Sequence, residues 1–317
     1  MSKVTVSIGI DFDAKGVRMV KVKGVDTGKE VKPAIMGMYE VSGDFDRHDA
    51  LIGALKGLAE KVKPKPDDRI VIAASGRQVH ITQMRFKTQP DMDLKRALRS
   101  EVRKNLTFDI AGAALDYQIM DDDNAKSDTP LITVTVVAKT LIDQQTTILS
   151  KAGLMPAILD VLPAAVANTC WIGPSAEAMQ PKAHVVAHLA PDLCTLVIDG
   201  HGIPFYTRSI YFAADRFFGP ASRDMGEQEK SIQLNTLAEE LRRSLAYYNT
   251  TNGISDFLGL CMIGNYVDNA EVAMFFEEKT GLAVRESSLL SRMGFSKREA
   301  PGKYDVAIAL AVRGLHN

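Results

Sequence analysis

A tight turn near the start of the chain carries residues whose types and spacing could hold a phosphate group. It joins a predicted strand over residues 4–12 to a returning strand over 17–22, and both alternate apolar with polar side chains. Backbone N–H groups in such turns reach phosphate oxygens where glycine or serine allows a close approach. The residues of this turn that could contact a phosphate are Asp11, Asp13, Lys15 and Gly16.

The first turn is only partly suited to that chemistry. If a phosphate were held at this turn, the Asp13 carboxylate would lie close to it. Two like charges about 4 Å apart, at an effective dielectric constant of about 20, repel by roughly 4 kcal/mol. Lys15 could offset part of this repulsion. Asp11 is either part of such a site or a strand-end carboxylate satisfied by local backbone groups.

A second unit of the same kind opens the other half of the chain. A predicted strand over 183–189 turns at Pro191 and returns over 193–198. Pro191 has no N–H group to donate to a phosphate. His188, at the end of the first of these strands, is interpreted as a buried neutral histidine rather than as a base or a metal ligand. His184 and His188 lie on a strand, so their spacing does not form the helical pair typical of zinc sites.

Strands and helices alternate around both turns. Residue types and periodicity predict further strands over 31–41, 69–74, 80–86, 115–120, 131–139, 157–161, 203–209 and 257–263. They predict helices over 47–62, 92–106, 140–152, 163–172, 227–248, 270–280 and 304–314. We expect Asp46 to cap the first helix, and Gly153 and Gly281 to end later ones. This alternation, with a hairpin opening each half, predicts a duplicated α/β domain.

Size and composition describe an ordinary globular protein. The chain has 317 residues, is 46% hydrophobic and 24% charged, and carries a net charge of −1. That balance favours neither nucleic acid nor an acidic membrane as a partner. Neither a signal peptide nor an apolar run of the ~20 residues needed to cross a bilayer is evident, so we expect membrane contact only through partners. Cys170, Cys194 and Cys261 are widely spaced and predict buried, reduced thiols of a cytoplasmic protein.

Several short motifs, in their order along the chain, resemble the PilM family, the cytoplasmic actin-like proteins of the type IV pilus inner-membrane platform. The motifs are Gly9-Ile10-Asp11, Pro90-Asp91-Met92-Asp93-Leu94, Leu106-Thr107-Phe108-Asp109, Leu115-Asp116-Tyr117-Gln118, Val137-Ala138-Lys139-Thr140-Leu141, Thr207-Arg208-Ser209-Ile210, Glu240-Leu241-Arg242-Arg243-Ser244-Leu245 and Ala307-Ile308-Ala309-Leu310-Ala311. The resemblance covers nearly the whole chain. It implies an actin-like (ribonuclease H-like) fold of duplicated α/β domains, over 1–175 and 176–317, with a small α+β subdomain inserted near 82–155.

The resemblance also implies where a nucleotide would bind. The family pattern at the first turn is Asp-x-Gly-Ser-Ser-Ser-x-Lys, and here Asp13 replaces the glycine. The second turn is normally Asp-x-Gly, and here His188 and Ala190 replace both residues. Four further positions match the family's nucleoside element or face the nucleoside: Gly264, Asn265, Glu240 and Arg243. The substitutions predict that the nucleotide cleft is degenerate and that the protein is a pseudo-ATPase. We therefore expect no catalytic residues, and ATP with Mg²⁺ is a doubtful cofactor.

The family's work is scaffolding, and this implies partners. Its members capture the cytoplasmic N-terminal tail of the membrane protein PilN and link the platform to the motor ATPases. The predicted strands 115–120 and 131–138, packed beside the first domain, could form a groove for such a tail, or they could simply be subdomain core. The exposed face of Arg96, Arg99, Arg103 and Lys104 is either merely solvated or meets acidic partners or lipid headgroups. Self-association is a further possibility.

Three other interpretations stay open at this point. Lys15 could rescue nucleotide binding and make the chain an active ATPase of the same fold. A GspL-like secretion component would continue into a transmembrane segment. An FtsA-like filament former would carry a C-terminal amphipathic helix, whereas this chain ends at Gly314-Leu315-His316-Asn317.

Overall fold

The order of strands and helices comes from a computed structural model that describes residues 4–26, 31–120, 129–173, 182–200, 203–219, 226–295 and 302–316. The strands are β1 (Val4–Phe12), β2 (Gly16–Asp26), β3 (Val31–Ser42), β4 (Arg69–Ala74), β5 (Val79–Arg85), β6 (Ala113–Ile119), β7 (Leu131–Ala138), β8 (Pro156–Val161), β9 (Ala183–Leu189), β10 (Leu193–Gly200), β11 (Ile203–Tyr211), β12 (Phe257–Gly264) and β13 (Val284–Arg285). The helices are α1 (His48–Val62), α2 (Leu94–Val102), α3 (Lys139–Lys151), α4 (Leu162–Asn168), α5 (Ala214–Phe218), α6 (Glu227–Asn252), α7 (Ala270–Thr280), α8 (Leu289–Arg292) and α9 (Asp305–Arg313).

Two sheets repeat one topology. Within the described residues each has five strands, in the orders β3-β2-β1-β4-β8 and β11-β10-β9-β12-β13. In both, the first strand of the half pairs antiparallel with the second and parallel with the fourth. The predicted duplication of an α/β domain is therefore confirmed.

A third sheet, of order β5-β7-β6, interrupts the first half between β4 and β8. Leu98 and Val102 of α2 pack against its buried face, which includes Ile132 and Val134. The strands of this sheet span 79–138, whereas α3 packs into the core of the first sheet. We call the sheet together with α2 the insert. The predicted domain boundary at residue 175 lies outside the described residues.

Helix α9 packs between the two large sheets. Val306 and Leu310 contact a core that also contains Val186 and Ile263 of the second sheet, while Ala307 and Ala311 face β2. A Cβ atom at Gly9 of β1 would lie 2.0 Å from the Ala307 carbonyl oxygen. Only glycine permits this approach, which brings the last helix of the chain against the first strand.

Local details differ from the sequence expectation at the start of α1 and at both ends of α2. Asp46 does not cap α1, because the N-cap is Arg47, which makes no side-chain capping bond. The helix expected over 92–106 is shorter: the Asp93 side chain caps α2, and a 3-10 turn over Arg103–Asn105 follows it. That turn contributes no buried side chain, so packing does not hold it in the α-helical form. The expected glycine ends are confirmed, with φ of +78° at Gly153 and +71° at Gly281.

None of the described helices is both long and apolar enough to span a membrane.

The cysteines carry thiols and form no disulfide among the described residues. All three cysteines are free. Cys170 and Cys194 are buried, as the sequence predicts, whereas Cys261 is partly exposed. Burial raises the pKa of both the Cys170 and the Cys194 thiol to about 12, so both stay protonated at neutral pH.

Candidate functional site

The register of the first hairpin lines up three charged side chains across three strands. Asp11 of β1 lies opposite Arg18 of β2, and Arg18 lies opposite Glu40 of β3. The Arg18 guanidinium, whose side chain is only 3% exposed, approaches Asp11, Asp13 and Glu40 at 3.3 Å each. A single arginine is thus held between three carboxylates at the phosphate-type turn.

Asn265 reaches this group from the second sheet. Arg18 donates through Nη2 to Asn265 Oδ1, and Asn265 donates through Nδ2 to Asp13 Oδ2 at 3.0 Å. The preceding Gly264 has φ of +95°, and a Cβ there would lie 2.5 Å from the Leu189 carbonyl oxygen. Glycine therefore aims Asn265 across the cleft. We call Asp11, Asp13, Arg18, Glu40 and Asn265 the cleft cluster.

Lys15, at the tip of the turn, forms a second connection between the halves. Its backbone N–H donates to Asp13 Oδ1 at 2.7 Å, so Asp13 also closes the turn. Its ammonium group lies 2.5 Å from Asp44 and 3.0 Å from Asp215 of α5, and hydrogen bonds to these two carboxylates raise its pKa. The Tyr266 hydroxyl donates to Asp215 at 2.8 Å. The charge of Lys15 is therefore engaged within the protein.

The electrostatics of the cleft follow from burial. Burial raises the pKa of Asp11 and of Asp13, and the neighbouring Arg18 charge opposes both shifts. Burial also lowers the pKa of His188 to about 4, which leaves that imidazole neutral, as the sequence predicts. Lys303 pairs with Glu40 at 2.7 Å and adds a second cation at the rim.

Cavities lie on both sides of the cleft cluster. One of about 570 Å³ is lined by residues that include Lys15, Asp215 and Tyr266. Another of about 340 Å³ is lined by residues that include Asp11, Asp13 and His188.

These residues do not fit a triphosphate with its metal ion. At the turn, such a ligand would meet the Asp13 carboxylate, displace Arg18 from its partners, and find Pro191 without an N–H group.

The structure brings together six of the eight residues predicted to line the nucleotide cleft. Asp11, Asp13, Lys15, Gly16, Gly264 and Asn265 meet where the two sheets face each other. Glu240 and Arg243 are not among the residues that line either cavity. They lie on α6, where Glu240 pairs with Arg208, and Arg243 pairs with both Glu239 and Glu240 at 3.4 Å.

Sequence reasoning missed four members of this region, namely Arg18, Glu40, Asp215 and Lys303. Arg18 could have been found by counting the hairpin register outward from the turn, since it lies opposite Asp11. Glu40 required the register of β3, and the other two come from distant segments whose placement depends on domain packing.

A groove runs between the insert and the first domain. One part, of about 450 Å³, is lined by β6 and β7 of the insert and by β8 of the first sheet. Its lining residues include Tyr117 of β6, Thr135 of β7 and Leu159 of β8. A second part, of about 560 Å³, is lined by residues that include Pro33, Trp171 and His316. Gln118, Asn168 and Arg313 line both parts and so join them. We call the two parts together the groove.

Two sheet edges border the groove. β6 is the outermost strand of the insert sheet, and β8 is the outermost strand of the first large sheet. Seven residues of β6 offer roughly 23 Å of strand edge. In the groove wall, burial raises the pKa of Asp160 while Arg313 opposes the shift. The groove therefore combines strand edges with one acidic and one basic side chain, Asp160 and Arg313, and with two amide side chains.

A family model described as type IV pilus assembly protein PilM matches residues 9–212. A chain in a structure of the PilM-PilN type IV pilus biogenesis complex is 18% identical, with a TM-score of 0.78 over 98% of this chain and 99% of that one.

Other similarities are weaker. The ethanolamine utilization protein EutJ from Carboxydothermus hydrogenoformans is 10% identical, with a TM-score of 0.49 over 98% of this chain and 90% of that one. The cytoplasmic domain of EpsL from Vibrio cholerae is 9% identical, with a TM-score of 0.41 over 82% of each chain. No curated protein sequence matches the chain. The predicted actin-like fold is confirmed by the repeated topology and the full-length structural match.

Proposed function

This chain belongs to the PilM family of type IV pilus assembly proteins, and we propose that it is a scaffold of the pilus inner-membrane platform whose groove binds the N-terminal cytoplasmic tail of a PilN-like membrane protein. The observation that carries this proposal is the groove between the insert and the first domain, bordered by the edges of β6 and β8.

An extended peptide suits this groove for a physical reason. The edge of a sheet carries backbone N–H and C=O groups that can pair with an added strand, while neighbouring pockets select alternate side chains. Gln118, Asn168 and Arg313 supply polar groups where the two parts of the groove meet. The similar chain comes from a PilM-PilN complex, which supports PilN as the class of partner.

The same proposal includes a place in the assembly. The protein would lie in the cytoplasm, peripheral to the inner membrane through its partners, and would link the platform to the motor ATPases. It would do so without hydrolysing ATP, because Asp13 and Pro191 occupy the turns that would hold the phosphates, and Arg18 on β2 is paired with Asp13. Its first domain would span 1–175, including the insert, and its second 176–317.

Calorimetric titration with a synthetic peptide tests the groove. The probe is the N-terminal tail of the PilN-type protein from the same pilus system. Gln118 is exposed and lines both parts of the groove, so Gln118→Arg should weaken binding tenfold or more, which is ~1.4 kcal/mol. Gln89→Arg makes the same change at an exposed residue that lines neither part, and it should bind like the native protein. Equal affinity of both variants for the peptide would remove the groove from the proposal.

Titration with Mg-ATP tests the nucleotide part separately. The native protein should give no binding heat at millimolar nucleotide, and neither should Asp11→Ala. Micromolar binding that disappears in Asp11→Ala would instead establish a working nucleotide site built from unusual residues.

A further inference from the structure

At the mouth of the cleft, above the apolar core that both domains share, the two domains contact each other through charged and amide side chains. Arg18 and Asp13 of the first domain both bond to Asn265 of the second, and Lys15 bonds to Asp215. On each side of the cleft, these partners are also held by contacts within their own domain. Arg18 is held by Asp11 and Glu40, and the Asn265 backbone N–H donates to the Leu189 carbonyl at 2.7 Å.

We propose that the cleft cluster is an ionic latch that holds the two domains closed across the cleft, with Arg18 as its central cation. Preorganised groups lose little conformational entropy when they pair, so such a contact favours closure. Closure of this chain is therefore built into its side chains and does not depend on a bound nucleotide. The inference is independent of peptide binding in the groove.

The remaining connections between the domains allow the latch to open without unfolding either one. Deep in the cleft, Val71 of the first sheet shares an apolar core with Val186, Ile263 and Leu310. That core does not include any residue of the cleft cluster, so it would persist as the hinge.

The insert also touches the second domain at two places. The Arg77 guanidinium lies 4.2 Å from the Tyr211 ring centroid, and the Phe205 N–H donates to Gln83 at 3.1 Å. Because these contacts limit how far the cleft can open, the expected change is a broader distribution of domain positions shifted to longer distances.

The test measures the distance between the domains by double electron–electron resonance. Spin labels are attached at Lys56→Cys on α1 and Glu277→Cys on α7, two exposed positions on the first and second domains. Asn265→Ala removes the amide that bridges the cleft and leaves the ion pairs of the first domain intact. A double variant, Lys15→Ala with Asn265→Ala, removes the Asn265 bonds and the Lys15–Asp215 pair across the cleft and keeps the Lys303–Glu40 pair.

The matched control is Lys21→Met. Lys21 lies on the same strand as Arg18 and pairs with Asp68 at 2.7 Å, but both partners belong to the first domain. This variant loses a buried ion pair without losing a contact across the cleft. Its distance distribution should match that of the native protein, whatever its loss of stability.

The latch predicts longer and broader distances in Asn265→Ala, larger changes in the double variant, and no effect of Mg-ATP on the native protein. Unchanged distances in the double variant would overturn it, as would an equal broadening in Lys21→Met. Shortening of the native distance by Mg-ATP would also overturn it, because closure would then depend on nucleotide. Peptide affinity in the groove is measured separately, so failure of the latch leaves the proposed scaffold function standing.

Discussion

Replacing Asp199 by asparagine should stabilise the protein at neutral pH. Asp199 lies near the end of β10 and accepts a hydrogen bond from the indole N–H of Trp171 at 2.8 Å, which joins the second domain to the segment after α4. Burial raises the pKa of Asp199 to about 6, although hydrogen bonds from Trp171 and from the Gly200 N–H oppose the shift. The ionised carboxylate is thus less favourable in the folded protein than in water.

The size and the sign of the effect follow from proton linkage. A carboxyl with a pKa of about 6 in the folded protein, against an ordinary value of 3.8, binds its proton more tightly when folded. The stability it contributes is present below about pH 4 and is lost as the pH rises through 6. At roughly 1.4 kcal/mol for each pKa unit, the loss is about 3 kcal/mol. Asparagine keeps an oxygen acceptor for Trp171 and never ionises.

Urea denaturation of native protein and Asp199→Asn, followed by circular dichroism, measures this difference. The variant should be more stable by about 3 kcal/mol at pH 7.5, and by only about 1 kcal/mol at pH 4.5. Trp171 is the sole tryptophan of the chain, so its emission should titrate near pH 6 in the native protein and not in the variant.

Because the ring centroid of His184 lies 6.2 Å from that of Trp171, His184→Gln is needed to separate a histidine titration from that of Asp199. An advantage of Asp199→Asn that is absent at pH 7.5, or equal at both pH values, would refute the burial argument.

Two other substitutions probe the core near the cleft. Asp305, at the start of α9, is fully buried, and burial raises its pKa to about 6. Asp305→Asn should therefore also stabilise the protein at pH 7.5 in the same urea assay, by about 3 kcal/mol, because its pKa shift equals that of Asp199; a pH-independent effect would contradict this. Gly9→Ala should destabilise the protein by at least about 3 kcal/mol or prevent folding, because the added Cβ would lie 2.0 Å from the Ala307 carbonyl oxygen. The control is Gly57→Ala on α1, where an added Cβ would meet no atom within 4 Å. Thermal unfolding should show this control to be as stable as the native protein or more stable. A similar loss of stability in both variants would rule out the close contact as the cause.

Local sequence patterns predicted the elements well where neighbouring residues decide the structure. Alternation and β-branched side chains identified the β1–β2 hairpin, and glycines with positive φ ended α3 and α7 as expected. The end of α2 was predicted less accurately, because apolar spacing extends beyond the last turn that packing supports.

The candidate cleft shows the same division between local and distant information. Substitution of the turn glycine by Asp13 and the presence of Pro191 already indicated a site unsuited to phosphate. Neither residue reveals that Asp13 bonds to Asn265, which is 252 positions away. Glu240 and Arg243 matched a family pattern, yet on α6 they pair with Arg208 and Glu239 rather than lining the two cleft cavities.

The sequence by itself determined the order of the longer strands and helices and the duplicated plan, and it supplied the prediction that the two turns do not suit phosphate. These depend on periodicity, backbone preferences and residue chemistry, which act over a few positions. Tertiary structure decided which charges meet, that the groove lies between two sheet edges, and that α9 packs against Gly9. Strand register and the docking of domains place those groups, and both arise from packing across the whole chain, which no local pattern records.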